Sequence, residues 1–346
     1  MYTDSEKPTQ TSDDSHVFCW GCQTHLAIPS ADGVQAPIFK CGWCGAISQL
    51  DSSGKRRREA HPFDKLRSVL PALRAAFVGF VVLLLFSVPF FGFIFLLPNL
   101  FSGLPLALHL TWSLLLAANT YFNFAAAVLR PPGPVEFEMP QTNTPVGKGA
   151  FDNCMFCTHC RQVKPPQAHH CSRCTTCVMD MDHHCLFLNN CVGRGNIRHF
   201  ILLLVFLFWS CTYTFLLCCA LHWRRWDEAA MTWQRLLLPI AKSKRYWEAI
   251  LVTPRFLLVA PAWQAAVTYL MSLTGGSCVG VTILLASQLR LIVRGQTYIE
   301  SLAAAPSHGG DWQASLRRIF GSEHPIKWFT MRWYPPPGAV QAKKGD

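Results

Sequence analysis

Between Arg74 and Arg130 the chain carries no Lys, Arg, Asp or Glu, and Phe200 to Leu221 and the run between Arg255 and Arg290 are equally free of charge. Crossing the hydrocarbon of a bilayer takes about 20 apolar residues. Pro98-Asn99 and Ser102-Gly103 break the first run near its middle, so it divides into helices expected at 76–97 and 105–128. A third span is expected at 200–221, ending at His222-Trp223-Arg224-Arg225. The fourth run is too long for one upright helix, so Pro261 is expected to close a surface stretch before a span at 266–290. Four buried core helices would be the soluble alternative, but the rest of the chain holds too little amphipathic sequence to cover them. The expected fold class is an all-α integral membrane protein with four transmembrane helices.

Orientation follows the excess of Lys and Arg on cytoplasmic loops. Lys55, Arg56, Arg57, Arg58, Lys65, Arg67 and Arg74 precede the first span in a basic juxtamembrane stretch, 51–75, and no basic residue lies in the turn after that span. Both termini, the segment 130–199 and the tail 291–346 are therefore expected in the cytosol. The loop 222–265 is then lumenal although it holds Arg224, Arg225, Arg235, Lys242, Lys244, Arg245 and Arg255. Asp227, Glu228 and Glu248 offset part of that charge, and Trp223, Trp226, Trp233 and Trp247 point to a helix lying in the interface. The first 70 residues are polar and the first apolar block is long enough to remain as an anchor, so insertion through the spans is expected, without a cleaved leader. The net charge of +11 suits contact with anionic cytoplasmic lipid, and no nucleic-acid partner is needed to explain it.

Of the 16 cysteines, most outside the spans are close together in polar sequence. Cys157-x2-Cys160, His170-Cys171-x2-Cys174-x2-Cys177, Asp182-His183-His184-Cys185 and Cys191 form one run. Zinc takes four such ligands tetrahedrally, at Cys-x2-Cys spacings set by tight turns. The run offers more ligands than one ion can use and few apolar residues for a core, so two zinc ions are expected to fold it. A disulfide framework is disfavoured in a reducing compartment. Spacing alone leaves several four-plus-four pairings open. If Cys157, Cys160, His170 and Cys177 hold one ion and Cys171, Cys174, His184 and Cys191 the other, Asp182, His183 and Cys185 are left over. An acid, an imidazole and a thiol in four residues are the parts of an activated nucleophile. His183 can take the thiol proton and Asp182 can fix the tautomer of His183.

Residues 154–200 resemble the cysteine-rich domain of the DHHC protein S-acyltransferases (palmitoyltransferases), matching its Cys, His and Asp signature at every named position through Asn196 and Phe200. The resemblance implies the zinc pairing just given, Cys185 as the residue acylated from acyl-CoA, His183 as general base and Asp182 as its partner. It also implies a cavity among the spans for the acyl chain and transfer to a cysteine of a membrane-proximal cytosolic protein. The host membrane would be an endomembrane (Golgi or ER) or the plasma membrane. Without the trio the chain would read instead as a catalytically silent zinc-containing scaffold. Thr297-Tyr298-Ile299-Glu300 resembles the family's Thr-Thr-x-Glu, which packs against the active site, with Tyr298 in place of a Thr hydroxyl. Ser315 to Gly321 resembles a C-terminal motif that has Asn where Ser315 stands. Gln167 and Phe187 replace the usual Arg and Trp.

Cys19-x2-Cys22 and Cys41-x2-Cys44, separated by 18 residues, are expected to form a four-cysteine zinc ribbon at 1–50 on two hairpin turns. This segment is similar to an extension in some plant-type members of the family. It is a candidate docking module or a simple folded cap. Cys154 and His169 are expected to be spare. Cys211, Cys218 and Cys219 are expected to pack in the third span, and His109 to be satisfied inside the second. Gly275-Gly276-Ser277 allows close helix approach. Phe77, Phe80, Phe86, Phe90 and Phe91 hint at bulk near the acyl cavity.

Overall fold

The computed structural model describes residues 16–19, 24–31, 34–36, 38–49, 64–135, 154–157, 159–160, 162–165, 167–243, 252–303, 312–321 and 328. Cys22, the linker from Ser52 to Arg58, Lys244, Arg245, Trp247 and Glu248 lie outside these residues. Contacts divide the chain into two compact units, residues 1–62 with 133–181 and residues 63–132 with 182–346.

The first unit is built from short antiparallel hairpins. In the ribbon, β1 (His16–Phe18) pairs with β2 (His25–Ala27), β3 (Ser30–Ala31) with β4 (Val34–Gln35), and β5 (Ile38–Lys40) with β6 (Ile47–Gln49). Gly45, just past Cys44, has φ +80°, a conformation that Gly adopts without steric cost. β7 (Met155–Cys157) pairs with β8 (Gln162–Lys164), and β9 (Ala168–Cys171) with β10 (Thr176–Met179). Strand β6 lies against β7. The small core here is Val135, Cys157, Ala168 and Cys177, so two of the expected ligands double as its apolar content.

The second unit is helical. Among the described residues, four helices are long and apolar enough to cross a membrane. α1 (Asp64–Phe91) begins well before the charge-free run, because Lys65 and Arg67 favour helix as well as apolar residues do. A π-helical turn, Gly92–Leu96, joins α1 to α2 (Leu97–Leu100). Pro98 cannot donate to the helix ladder; the turn upstream, where Leu97 N–H bonds to Gly92 O, accommodates it. Asn99 Nδ2 donates to Phe95 O at 2.8 Å. The chain leaves the helix at Phe101 and Ser102, both extended, and Gly103 at φ +59° opens α3 (Gly103–Leu129). The break thus falls at the Ser102-Gly103 end of the expected stretch, and the helix runs through Pro98, since Pro is tolerated in a first helical turn.

The hairpin of β11 (His183–Cys185) and β12 (Asn190–Val192) precedes α4 (Ile197–Arg224). α5 (Trp226–Ser243) buries Ala229, Thr232, Leu236 and Ile240 at helical spacing, and its Trp233 stacks on Phe256 of α6 (Val252–Val259) at 4.7 Å. Pro261 caps α7 (Ala262–Arg294), which ends at Gly295 in the left-handed conformation. α8 (Tyr298–Leu302) and α9 (Trp312–Phe320) follow. α4 is the central helix, packing on both α3 and α7. Gly275 faces the Phe215 ring so closely that an added Cβ would lie 3.0 Å from it, whereas Gly276 meets open space.

Candidate active site

The site is built on the end of α3. The last carbonyls of a helix need partners, and two asparagines supply them. Asn190 Nδ2 lies 3.2, 3.1 and 2.9 Å from the carbonyls of Ala127, Val128 and Arg130. Asn196, fully buried, donates to Ala127 O at 3.1 Å and Cys191 O at 2.8 Å and accepts from Gly193 N–H at 3.0 Å. Asn190 is the cross-strand partner of Cys185, so the clamp fixes the nucleophile candidate relative to α3. Beside it, Arg130 Nη1 meets His199 Nε2 at 2.9 Å, and His199 Nδ1 meets Asn123 Oδ1 at 3.1 Å.

Asp182, 3% exposed, has both carboxylate oxygens engaged. Oδ2 lies 2.8 Å from His183 Nδ1 and accepts from Gln288 Nε2 at 3.0 Å. Oδ1 accepts from Tyr298 N–H at 2.7 Å. Burial opposes charge on His183, but hydrogen bonds to Asp182 and Cys185 outweigh it and push its pKa up to about 9. The Phe200 ring stands edge-on to the imidazole, 5.2 Å away. Thr297 caps α8 in a reciprocal box: its hydroxyl accepts from Glu300 N–H at 3.3 Å, and its own N–H donates to Glu300 Oε2 at 2.8 Å. That box aims the Tyr298 N–H at Asp182. The contact is a backbone one and the phenol is 46% exposed, so a Thr hydroxyl is not required at 298.

Cys185, His183 and His184 line a cavity of about 620 Å³. Its walls come from α1, the π turn, α3, α4 and α7, and are mostly apolar. Along α4 the lining runs from Phe200 to Leu217, roughly 25 Å at 1.5 Å per residue. The aromatic bulk lining it is Phe93, Tyr121, Phe124, Phe187, Phe200 and Tyr213. Phe77, Phe80, Phe86 and Phe90 instead face outward, and Phe91 packs with Leu96, Cys218 and Leu270. Phe187 touches Phe77 with ring centres 5.7 Å apart.

The donor groups suit zinc. The ligand atoms of Cys157, Cys160, His170 and Cys177 lie within 4.8 Å of one another, with Cys160 Sγ 3.1 Å from His170 Nδ1. Cys19, Cys41 and Cys44 gather in the same way. The fourth ribbon cysteine, Cys22, is outside the described residues. Cys171 and Cys174 share a knuckle in which Cys174 N–H points at Cys171 Sγ, 3.4 Å away. His184 and Cys191 face each other across β11–β12, with Nδ1 and Sγ 3.6 Å apart.

Several expectations about secondary residues meet specific contacts. Cys154 packs against the ribbon cysteines, outside their ligand group. Cys218 is fully buried, and Cys211 lines the cavity. His109 Nδ1 bonds to Tyr213 OH at 2.7 Å, with Phe101 stacked on its ring. Sequence reasoning passed over Gln288, Asn190 and the Arg130–His199–Asn123 chain. The available signal was polarity inside apolar helix, at Gln288 and Asn123.

Residues 150–305 match the family model described as DHHC palmitoyltransferase. The chain is 48% identical over 68 residues to "Probable protein S-acyltransferase 12" of Arabidopsis thaliana, covering 20% of this chain and 23% of that protein. It is 57% identical over 51 residues to "Palmitoyltransferase ZDHHC15A" of Danio rerio, covering 15% and 16%. To "Palmitoyltransferase PFA4" of Yarrowia lipolytica it is 30% identical over 153 residues, covering 44% and 42%. The matched segments thus span less than half the length of these relatives. The four apolar helices, taken with the match to this family model, describe a multi-pass membrane protein.

Proposed function

We propose that the protein is a protein S-acyltransferase that moves a long acyl chain from acyl-CoA to Cys185 and then to a cysteine of a membrane-proximal cytosolic protein. The observation that carries this reading is a buried thiol, Cys185, two residues from an imidazole held by Asp182, both lining one long apolar cavity among membrane-length helices. The matching relatives carry names of the same activity.

In the first step His183, whose raised pKa favours the imidazolium, holds the Cys185 proton, and the thiolate attacks the thioester carbonyl. A new C–S bond forms, the bond to the CoA sulfur breaks, and the proton passes to the departing thiolate. In the second step the substrate thiol gives its proton to His183 and attacks the Cys185 thioester, and Cys185 leaves with that proton. Both steps exchange one thioester for another, so the protein mainly supplies a thiolate, an oriented donor and exclusion of water. The chain lies in the cavity, where burial contributes about 0.8 kcal/mol per CH2. Zinc, when bound, holds the hairpins and lends them folding free energy. One ion would be held by Cys157, Cys160, His170 and Cys177, a second by Cys171, Cys174, His184 and Cys191, and a third by the ribbon cysteines. The basic stretch before α1 sets the site and both termini in the cytosol.

The test is labelling of purified protein with a tagged palmitoyl-CoA. Label on the wild type that hydroxylamine removes and Cys185→Ala abolishes, at unchanged zinc content, is expected. No label on folded, zinc-loaded wild type would favour the scaffold reading.

A further inference from the structure

Gln288 sits in the last turns of α7, in sequence that otherwise reads as one more stretch of apolar span, and is only 7% exposed. A buried amide in such a helix is costly unless its polar atoms are bonded. Its Nε2 donates to the same Asp182 oxygen that meets His183 Nδ1. The other oxygen is held by the Tyr298 N–H. Asp182 is therefore gripped from both sides, by an amide from the membrane helix and by the backbone of α8. Val281 and Leu284, at helical spacing before Gln288, line the cavity. One rigid helix thus carries both a wall of the cavity and an anchor of the carboxylate.

We propose that Gln288 is a positioning residue for the acyl-transfer reaction: it fixes the Asp182 carboxylate so that His183 commits Nδ1 to it and presents Nε2 to the Cys185 thiol. This rests on the reading of Cys185 as nucleophile. A tautomer of imidazole is set by the partner of its other nitrogen. A carboxylate free to turn would let the ring swing away from the sulfur.

The experiment uses the full chain in detergent micelles with palmitoyl-CoA and measures the single-turnover rate of acyl-enzyme formation and its dependence on donor concentration. Gln288→Leu is expected to lower the saturating rate by about 10–100-fold, with the half-saturating donor concentration within about twofold of wild type, because orientation and not binding is lost. Gln288→Glu keeps the shape but replaces the donor with a second acid, and is expected to fall at least as far. Gln288→His keeps an N–H donor and is expected to recover most of the rate. Leu or Glu variants that acylate at the wild-type rate would overturn the proposal. So would a His variant no faster than Leu, or loss of zinc in step with activity in all three, since Gln288 would then hold the fold and not the carboxylate. A wild type that forms no thioester is a different failure, and would remove the proposed function itself.

Discussion

Two hairpins of this protein share one design and do different work. In β9–β10 and in β11–β12 a His-Cys pair ends the first strand, and the His faces a cysteine across the ladder: His170 opposite Cys177, His184 opposite Cys191. The cysteine pairs five residues on in both, Cys171 with Thr176 and Cys185 with Asn190. Each turn has a left-handed residue at the same place, Thr175 at φ 54° and Asn189 at φ 47°. The difference is three residues beyond the cysteine. Cys174 completes a knuckle with Cys171, whereas Leu188, 2% exposed, packs in the apolar cluster that includes Cys185. With Leu188 where a knuckle cysteine would stand, Cys185 has no Cys-x2-Cys partner, and on the proposed reading it is left for acyl transfer. On the proposed function, metal ligation and nucleophilic reactivity are divided between equivalent thiols by the residue three positions on.

The largest effect that would break this comparison comes from Cys171→Ala. It is expected to cost a zinc ion and, since structural zinc supplies on the order of 10 kcal/mol of folding free energy, to prevent accumulation of folded protein. Cys185→Ala should keep its metal. Zinc counting on matched preparations decides, and equal metal content in the two variants would break the comparison. Next, His183→Ala is expected to slow acyl-enzyme formation by roughly 10²–10⁴-fold, the usual share of a positioned general base. Rapid-quench labelling measures it, and a loss below that range would assign the base elsewhere.

The pairing of Asp182 with α8 is sharpened by Tyr298→Pro. Tyr298 is the first residue of α8, where Pro fits the helix, and Thr297 is already extended as a residue before Pro must be. The change removes little beyond the N–H to Asp182, a hydrogen bond to a charged group worth about 1.5–3 kcal/mol. A matching fall in acylation rate is expected. The smallest effect belongs to Tyr298→Thr, which alters an exposed side chain and should shift thermal stability by less than about 0.5 kcal/mol. A larger shift would mean that the phenol and not the backbone makes the contact.

The four helices were legible because hydrocarbon excludes charge, and a run without Lys, Arg, Asp or Glu is visible without geometry. Their true ends were less so: α1 reaches back to Asp64, since leaving the hydrocarbon does not end a helix. His183, Asp182 and Cys185 stood out as chemistry left over once zinc ligands were counted. Gln288 did not, because its partner lies 106 residues away along the chain, and a lone amide in an apolar run marks a position without naming what it bonds to. The Tyr298 contact was misdirected toward the side chain, because a motif displays side chains and the N–H belongs to any residue but proline. Nor could a list of phenylalanines separate those that line the cavity from those that face outward, which depends on how α1 turns against its neighbours.

The most direct test of the account is to locate the acyl group. Zinc-loaded full-length protein is incubated briefly with palmitoyl-CoA, digested under conditions that preserve thioesters, and its cysteine peptides are read by mass spectrometry. The account predicts the palmitoyl group on Cys185, with Cys171 and Cys174 unmodified. A label on Cys154 or Cys219 with Cys185 bare, or spread over the ligand cysteines, would contradict it.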